Sequence, residues 1–155
     1  MTTLSQTLNK LGLLAIKNQT LRYCRSEMGK EAIFDLLPST TELRIQKDIS
    51  CTQEMMLVLQ SGEAYPSEHQ PERRSHLKRV RIEGTVLSLA SFQDLLCIAA
   101  LSRRMKKFFK QREESYPELT DIAQMLIPMK DLEDHIQSKI SDRGDLKNDA
   151  SPELQ

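Results

Sequence analysis

Apolar residues recur at three- and four-residue intervals through most of this chain, the spacing that keeps one face of an α-helix out of water. A stripe of Leu14, Lys17, Leu21 and Cys24 predicts a first helix over 11–24. Ser26 is a suitable N-cap for a second, carrying Ala32, Ile33, Leu36 and Leu37. Pro38 should end it, because the residue before a proline is pushed out of the α region. Ser39-Thr40-Thr41-Glu42 has the spacing of a capping box, in which the serine and glutamate satisfy each other's exposed backbone donors. A long helix should follow, with Leu43, Ile45, Ile49, Met55, Met56 and Leu59 as its apolar positions and Ser61-Gly62 closing it.

Residues 62–72 form a polar stretch punctuated by prolines, read as a loop, and a short basic helix is expected around His76 to Arg81. Glu83 to Leu87 reads as an extended link. Ser88 or Ser91 then opens a strongly amphipathic helix, with Phe92, Leu95, Leu96, Ala99, Met105 and Phe109 on one face. Tyr116-Pro117 restarts the chain into a helix bearing Leu119, Ile122, Met125 and Leu126, which Pro128 interrupts. Leu132, Ile136 and Ile140 mark another at i, i+4, i+8. Asp142-Arg143-Gly144-Asp145 is a tight-turn sequence flanked by Ile140 and Leu146, which predicts a short β-ribbon. Ser151-Pro152-Glu153 carries the signals of one more helix start, so the chain is expected to be part of a longer protein.

The fold class that follows is all-α: an irregular helical bundle forming a single domain over 1–155, with at most that ribbon near its C-terminus. Composition agrees. The chain has 155 residues, 39% hydrophobic and only 5% aromatic, with no tryptophan, and its 5 glycines and 6 prolines are too few for a turn-rich β fold. The longest apolar run, Leu95 to Leu101, is far short of the roughly 20 residues that cross a bilayer, so no membrane partner is expected. Cys24, Cys51 and Cys97 are odd in number and widely spaced, which suits reduced thiols in a cytoplasmic protein. They lie on or near apolar stripes, where small buried side chains are expected.

A formal net charge of zero conceals a division. Residues 71–112 carry +8 and residues 113–155 carry −7. The basic positions of the amphipathic helix (Arg103, Arg104, Lys106, Lys107 and Lys110, with Arg112 beyond) are the candidate nucleic-acid-binding residues, since arrays of cations bind phosphate backbones by releasing counterions. The competing expectation is that this face is solvated or paired with the acidic C-terminal third.

No other chemistry is legible. His69, His76 and His135 lack partners at zinc-ligand spacing, and no phosphate-cradling glycine motif or nucleophile elbow occurs. Asp131, Glu133 and Asp134 read as the solvated side of a helix. Catalytic, cofactor and metal residues are accordingly expected to be none.

Four stretches, in this order and spacing, resemble one family: SEMGKEAIFDLLPSTTE (26–42), LKRVRIEGTVLSLASFQDLL (77–96), SRRMKKFF (102–109) and DLKNDASPEL (145–154). The family is the second bacterial MutS paralogue, the recombination-suppressing MutS homologue that carries a C-terminal Smr domain. The resemblance covers about residues 10–155. It implies the N-terminal start of the helical core beneath the lever, in a protein whose lever, clamp, ATPase and Smr nuclease lie elsewhere. For such a parent it implies ATP and Mg, DNA or the ribosome as partner, and a homodimer. For this segment it implies a non-catalytic, monomeric piece whose partner is the rest of its own chain. One departure is visible: the polar stretch from Ser67 to Glu72 replaces a glycine-rich loop usual in the family. The alternative is a free-standing helical module that binds nucleic acid or ribosomal RNA through the basic helix face.

Overall fold

The computed structural model describes residues 3–67, 82–84, 86–141 and 145–147, and side chains from residue 6 onward. Among these residues it is all-α, as expected, with seven helices: α1 (Thr3–Lys10), α2 (Leu13–Leu21), α3 (Glu27–Asp35), α4 (Glu42–Gln60), α5 (Leu89–Lys110), α6 (Pro117–Gln124) and α7 (Lys130–Lys139). The chain forms two compact units. One comprises Met1–Pro38 with Ser67–Glu72, the other Ser39–Pro66 with Arg73–Gln155. The basic helix expected around His76 to Arg81, the turn residues 142–144 and the helix start at Ser151-Pro152 lie outside the described residues.

In the first unit, α1 packs against α2 and α2 against α3. The helix expected over 11–24 is present as α2, shorter at both ends, with Leu11-Gly12 forming the turn that separates it from α1. Gly12 has φ 79°, a left-handed conformation that costs a glycine nothing, and α2 begins one residue later. α3 starts as predicted, with the Ser26 hydroxyl accepting a hydrogen bond from Gly29 N–H at 3.0 Å. Lys17 reaches across from α2 and donates to the Phe34 carbonyl at 2.6 Å, placing a cation at the negative end of α3.

The second unit is built on α5, which packs against both α6 and α7, while α4 packs against α6. The core consists of Val58 from α4, Phe108 and Phe109 from α5, and Tyr116 and Ala123 around α6, with Met55, Tyr65, Met105, Leu119 and Leu126 packed against it. Tyr65, Phe108 and Phe109 meet edge to face, with ring centroids 5.2–6.0 Å apart, the arrangement favoured by aromatic quadrupoles. Ser88 is the N-cap of α5, its hydroxyl accepting from Ser91 N–H. Pro117 occupies the first turn of α6, where its missing N–H is no loss. The expected ribbon is present as a single antiparallel bridge between Ile140 and Leu146, with Lys147 N–H donating to the Lys139 carbonyl at 2.9 Å.

The capping box is not formed. α4 begins at Glu42 with Thr41 at the N-cap position and no side-chain cap, and the Ser39 hydroxyl accepts instead from Thr41 N–H. Ser39 lies two residues too early, so its short side chain closes a local turn rather than the first helical turn. Cys97 is exposed, not buried.

Candidate nucleic-acid interface

The basic edge of α5 is divided between internal and outward roles. Arg103 turns toward α7 and grips Glu133 with two nitrogens: Nε lies 3.0 Å from Oε1 and Nη2 lies 2.8 Å from Oε2. The Glu133 side chain is only 3% exposed and that of Arg103 is 40% exposed. The expectation of a solvated Glu133 is therefore wrong. Leu132, expected on the buried stripe, stands exposed instead, while Glu133, Ile136 and Ile140 face the unit. The reason is the guanidinium, whose planar fork makes burial of that carboxylate tolerable. Hydrogen bonds from Arg103 are the largest influence on the Glu133 carboxyl and hold its pKa below the usual value, against an opposing contribution from burial.

Lys106 is also committed inward. Its ammonium donates to the carbonyls of Gln124 at 3.0 Å and Leu126 at 2.8 Å, at the C-terminal end of α6. The opposite end of α6 is held by Glu54 from α4. Its buried carboxylate accepts from Glu118 N–H at 3.0 Å and Leu119 N–H at 2.8 Å. These are two of the donors that a helix N-terminus leaves without intrahelical partners. A short helix is thus fixed by an anion at its positive end and a cation at its negative end. Beside this, Lys47 of α4 lies 3.3 Å from Glu118 and 3.7 Å from Asp121, and its pKa is raised, chiefly by the Glu118 hydrogen bond. Arg112 stacks over the Phe108 ring at 4.0 Å while its Nε donates to Glu63 at 2.7 Å.

Of the five residues nominated for nucleic acid, Arg103 and Lys106 are therefore bracing groups. Arg104 is exposed, with its Nε 3.4 Å from the Ala100 carbonyl. Lys107 and Lys110 are exposed, and neither has an ion pair or a side-chain hydrogen bond among the described residues. Among the described residues, the expected pairing with the acidic C-terminal third is seen at Arg103. Sequence reasoning missed Glu54, although a signal existed: Lys47, Cys51, Glu54 and Val58 share one stripe of α4, and Pro117 announces a helix start in need of an acceptor.

Among the described residues no helix is long and apolar enough to cross a membrane. The fold is that of an all-helical body braced by charged side chains, with a cationic edge left on α5. Its relatives carry the name "Endonuclease MutS2". That of Symbiobacterium thermophilum is 31% identical over 149 residues, and that of Bacillus velezensis is 32% identical over 152. Each alignment takes in 96% of this chain but only 18% and 19% of the relative, respectively. A Bacillus subtilis protein named "Putative endonuclease MutS2" is 29% identical over the same share. The chain is thus homologous to a segment of the MutS2 family, as its residues led one to expect, and spans about a fifth of the length of the curated relatives it matches. No family model matches the chain, and no solved structure does either.

Proposed function

We propose that this chain is the N-terminal core segment of a cytoplasmic, homodimeric MutS2-type protein that acts in recombination control or repair of DNA, or in rescue of stalled ribosomes. Its role there is mechanical and non-catalytic. ATP and Mg are used, and DNA is cut, by other parts of such a protein, and this segment seats the lever that links them. The observation that carries the reading is the double fixation of α6, by Glu54 at one end and Lys106 at the other, together with the Arg103–Glu133 clamp. Four helices held by directional charged contacts move as one piece, which a relay between sites requires. Homology along nearly the whole chain supports the same reading. The test is complementation in trans: this chain is added to a MutS2 protein from which the matching segment has been deleted. Co-sedimentation of the two polypeptides is expected, and their failure to associate would remove the scaffold reading.

A second reading is favoured by the outward lysines. Lys107 and Lys110 present on one edge of α5 two ammonium groups without a partner among the described residues, suited to the phosphate backbone of duplex or branched DNA or of ribosomal RNA. Fluorescence anisotropy with labelled DNA across a salt series measures this directly. Two phosphate contacts should give a log–log slope of about −2, abolished in a Lys107→Ala/Lys110→Ala variant. The double variant is preferred to one that includes Arg103, because losing the Glu133 clamp would confuse unfolding with loss of binding. Absence of measurable binding at low salt would leave the scaffold reading alone.

A further inference from the structure

Not one residue from Gln6 to Pro38 is buried. Where α2 packs on α1 and on α3, its cover is partial: Leu13, Leu21 and Cys24, with Ile33 of α3, are half-buried. Large apolar side chains stand exposed all the same, among them Ile16 by 61%, Phe34 by 61% and Leu37 by 63%. Helices of eight or nine residues are marginal in water without burial, because few hydrogen bonds are gained for the backbone that is ordered. The second unit differs, since every buried residue among those described lies in it. A first unit without a core takes its helical form from something that covers it.

We infer that the first unit is the docking seat for the remainder of a MutS2-type chain and becomes firmly folded only on contact with it. The inference rests on the scaffold reading above and assigns the surface that carries it. The alignments take in 96% of this chain, and so run through the first unit, but only 18% and 19% of the relatives. In such a protein the covering polypeptide belongs to the same molecule, at an effective concentration that a separate partner does not match.

A groove between α2 and α3 specifies the covering segment. Its volume is about 400 Å³, and it is lined by Leu21, Arg22, Lys30, Glu31 and Phe34. Lys30 is engaged by Glu27 at 2.6 Å. Arg22 has no ion pair or side-chain hydrogen bond among the described residues. Residues 1–38 carry Lys10, Lys17, Arg22, Arg25 and Lys30 against Glu27, Glu31 and Asp35, for a net +2. An apolar groove of this kind takes the apolar face of a helix, and the free guanidinium asks for a carboxylate. The covering segment is therefore an amphipathic helix with an acidic residue beside its apolar stripe.

Sedimentation of the 155-residue chain with the MutS2 protein that lacks the matching segment tests the seat. Phe34→Glu should weaken association at least about tenfold, as expected for the loss of one buried aromatic. Arg22→Glu should weaken it too, and by less at high salt than at low salt. Leu59→Glu, on the exposed outer stripe of α4 with Ile45, Ile49 and Met56, should bind as the unsubstituted chain does. In the free chain, hydrogen exchange should be fast in α2 and α3 and slow in α5, and the added protein should slow it in α2 and α3. Full binding by Phe34→Glu, or an equal loss in Leu59→Glu, overturns the seat and leaves the scaffold reading in place. So does protection of α2 and α3 in the free chain equal to that of α5. An unsubstituted chain that fails to bind at all removes both.

Discussion

At Glu133 a single carboxylate shows how a charged residue comes to be buried in a small helical unit. Its partner Arg103 is 30 residues away and supplies hydrogen bonds to both oxygens. The pH consequence follows from the lowered folded pKa. The pair stabilises the fold above the unfolded glutamate value of about 4.3, and that stability is lost as pH falls through the lower folded value. Acid titration of the unfolding midpoint should therefore be steeper in the parent chain than in Glu133→Gln, and equal slopes would show the pair contributes nothing. Glu54 gives a companion case at a helix start. Glu54→Ala strips two charge-assisted bonds from α6, and a loss of about 2 kcal/mol is expected in urea denaturation at neutral pH. A loss below about 0.5 kcal/mol would mean that water replaces the carboxylate.

Elements in this chain obey their local signals where those signals fall at the right offset. Ser26 and Ser88 each sit three residues before the N–H they accept from, and each caps its helix. Ser39 has the right residue type and the right spacing to Glu42, but the helix starts at Glu42 itself. Two substitutions separate the cases by equilibrium unfolding. Ser88→Ala should cost about 1 kcal/mol and Ser39→Ala under about 0.5 kcal/mol, and the reverse order would restore the capping box. Apolar periodicity located all the described helices except α1, which carries only Leu4 and Leu8 as apolar residues and offers little stripe to read. It also joined α2 to its preceding turn, since a lone glycine in a helical pattern does not announce which side of it the break lies on.

For the whole molecule, the division of charge between middle and end proved partly structural. Arg103 and Lys106 brace α7 and α6, while Lys107 and Lys110, which no contact among the described residues consumes, keep an outward edge. Truncating the central aromatic at Phe109→Ala, by contrast, should cost about 3–5 kcal/mol, because it opens a cavity among Val58, Phe108 and Tyr65. Thermal or urea unfolding reads that loss, and a cost under about 1 kcal/mol would show that the core repacks around the gap.

The amino-acid sequence by itself determined the helical class, most helix starts, the family resemblance and the pool of cations from which an interface can be drawn. These are properties of short windows: a hydroxyl three residues before its N–H, an apolar stripe every 3.6 residues, a motif in order. Tertiary structure alone decided which charges are inside. Glu54 and Leu119 are 65 residues apart, and Arg103 and Glu133 are 30 apart. A carboxylate's environment depends on what folding places against it, and no local pattern carries that information. The same physics left the outer stripe of α4 uncovered: its spacing is written in the chain, but its exposure is a result of how α6 and the core took the opposite face.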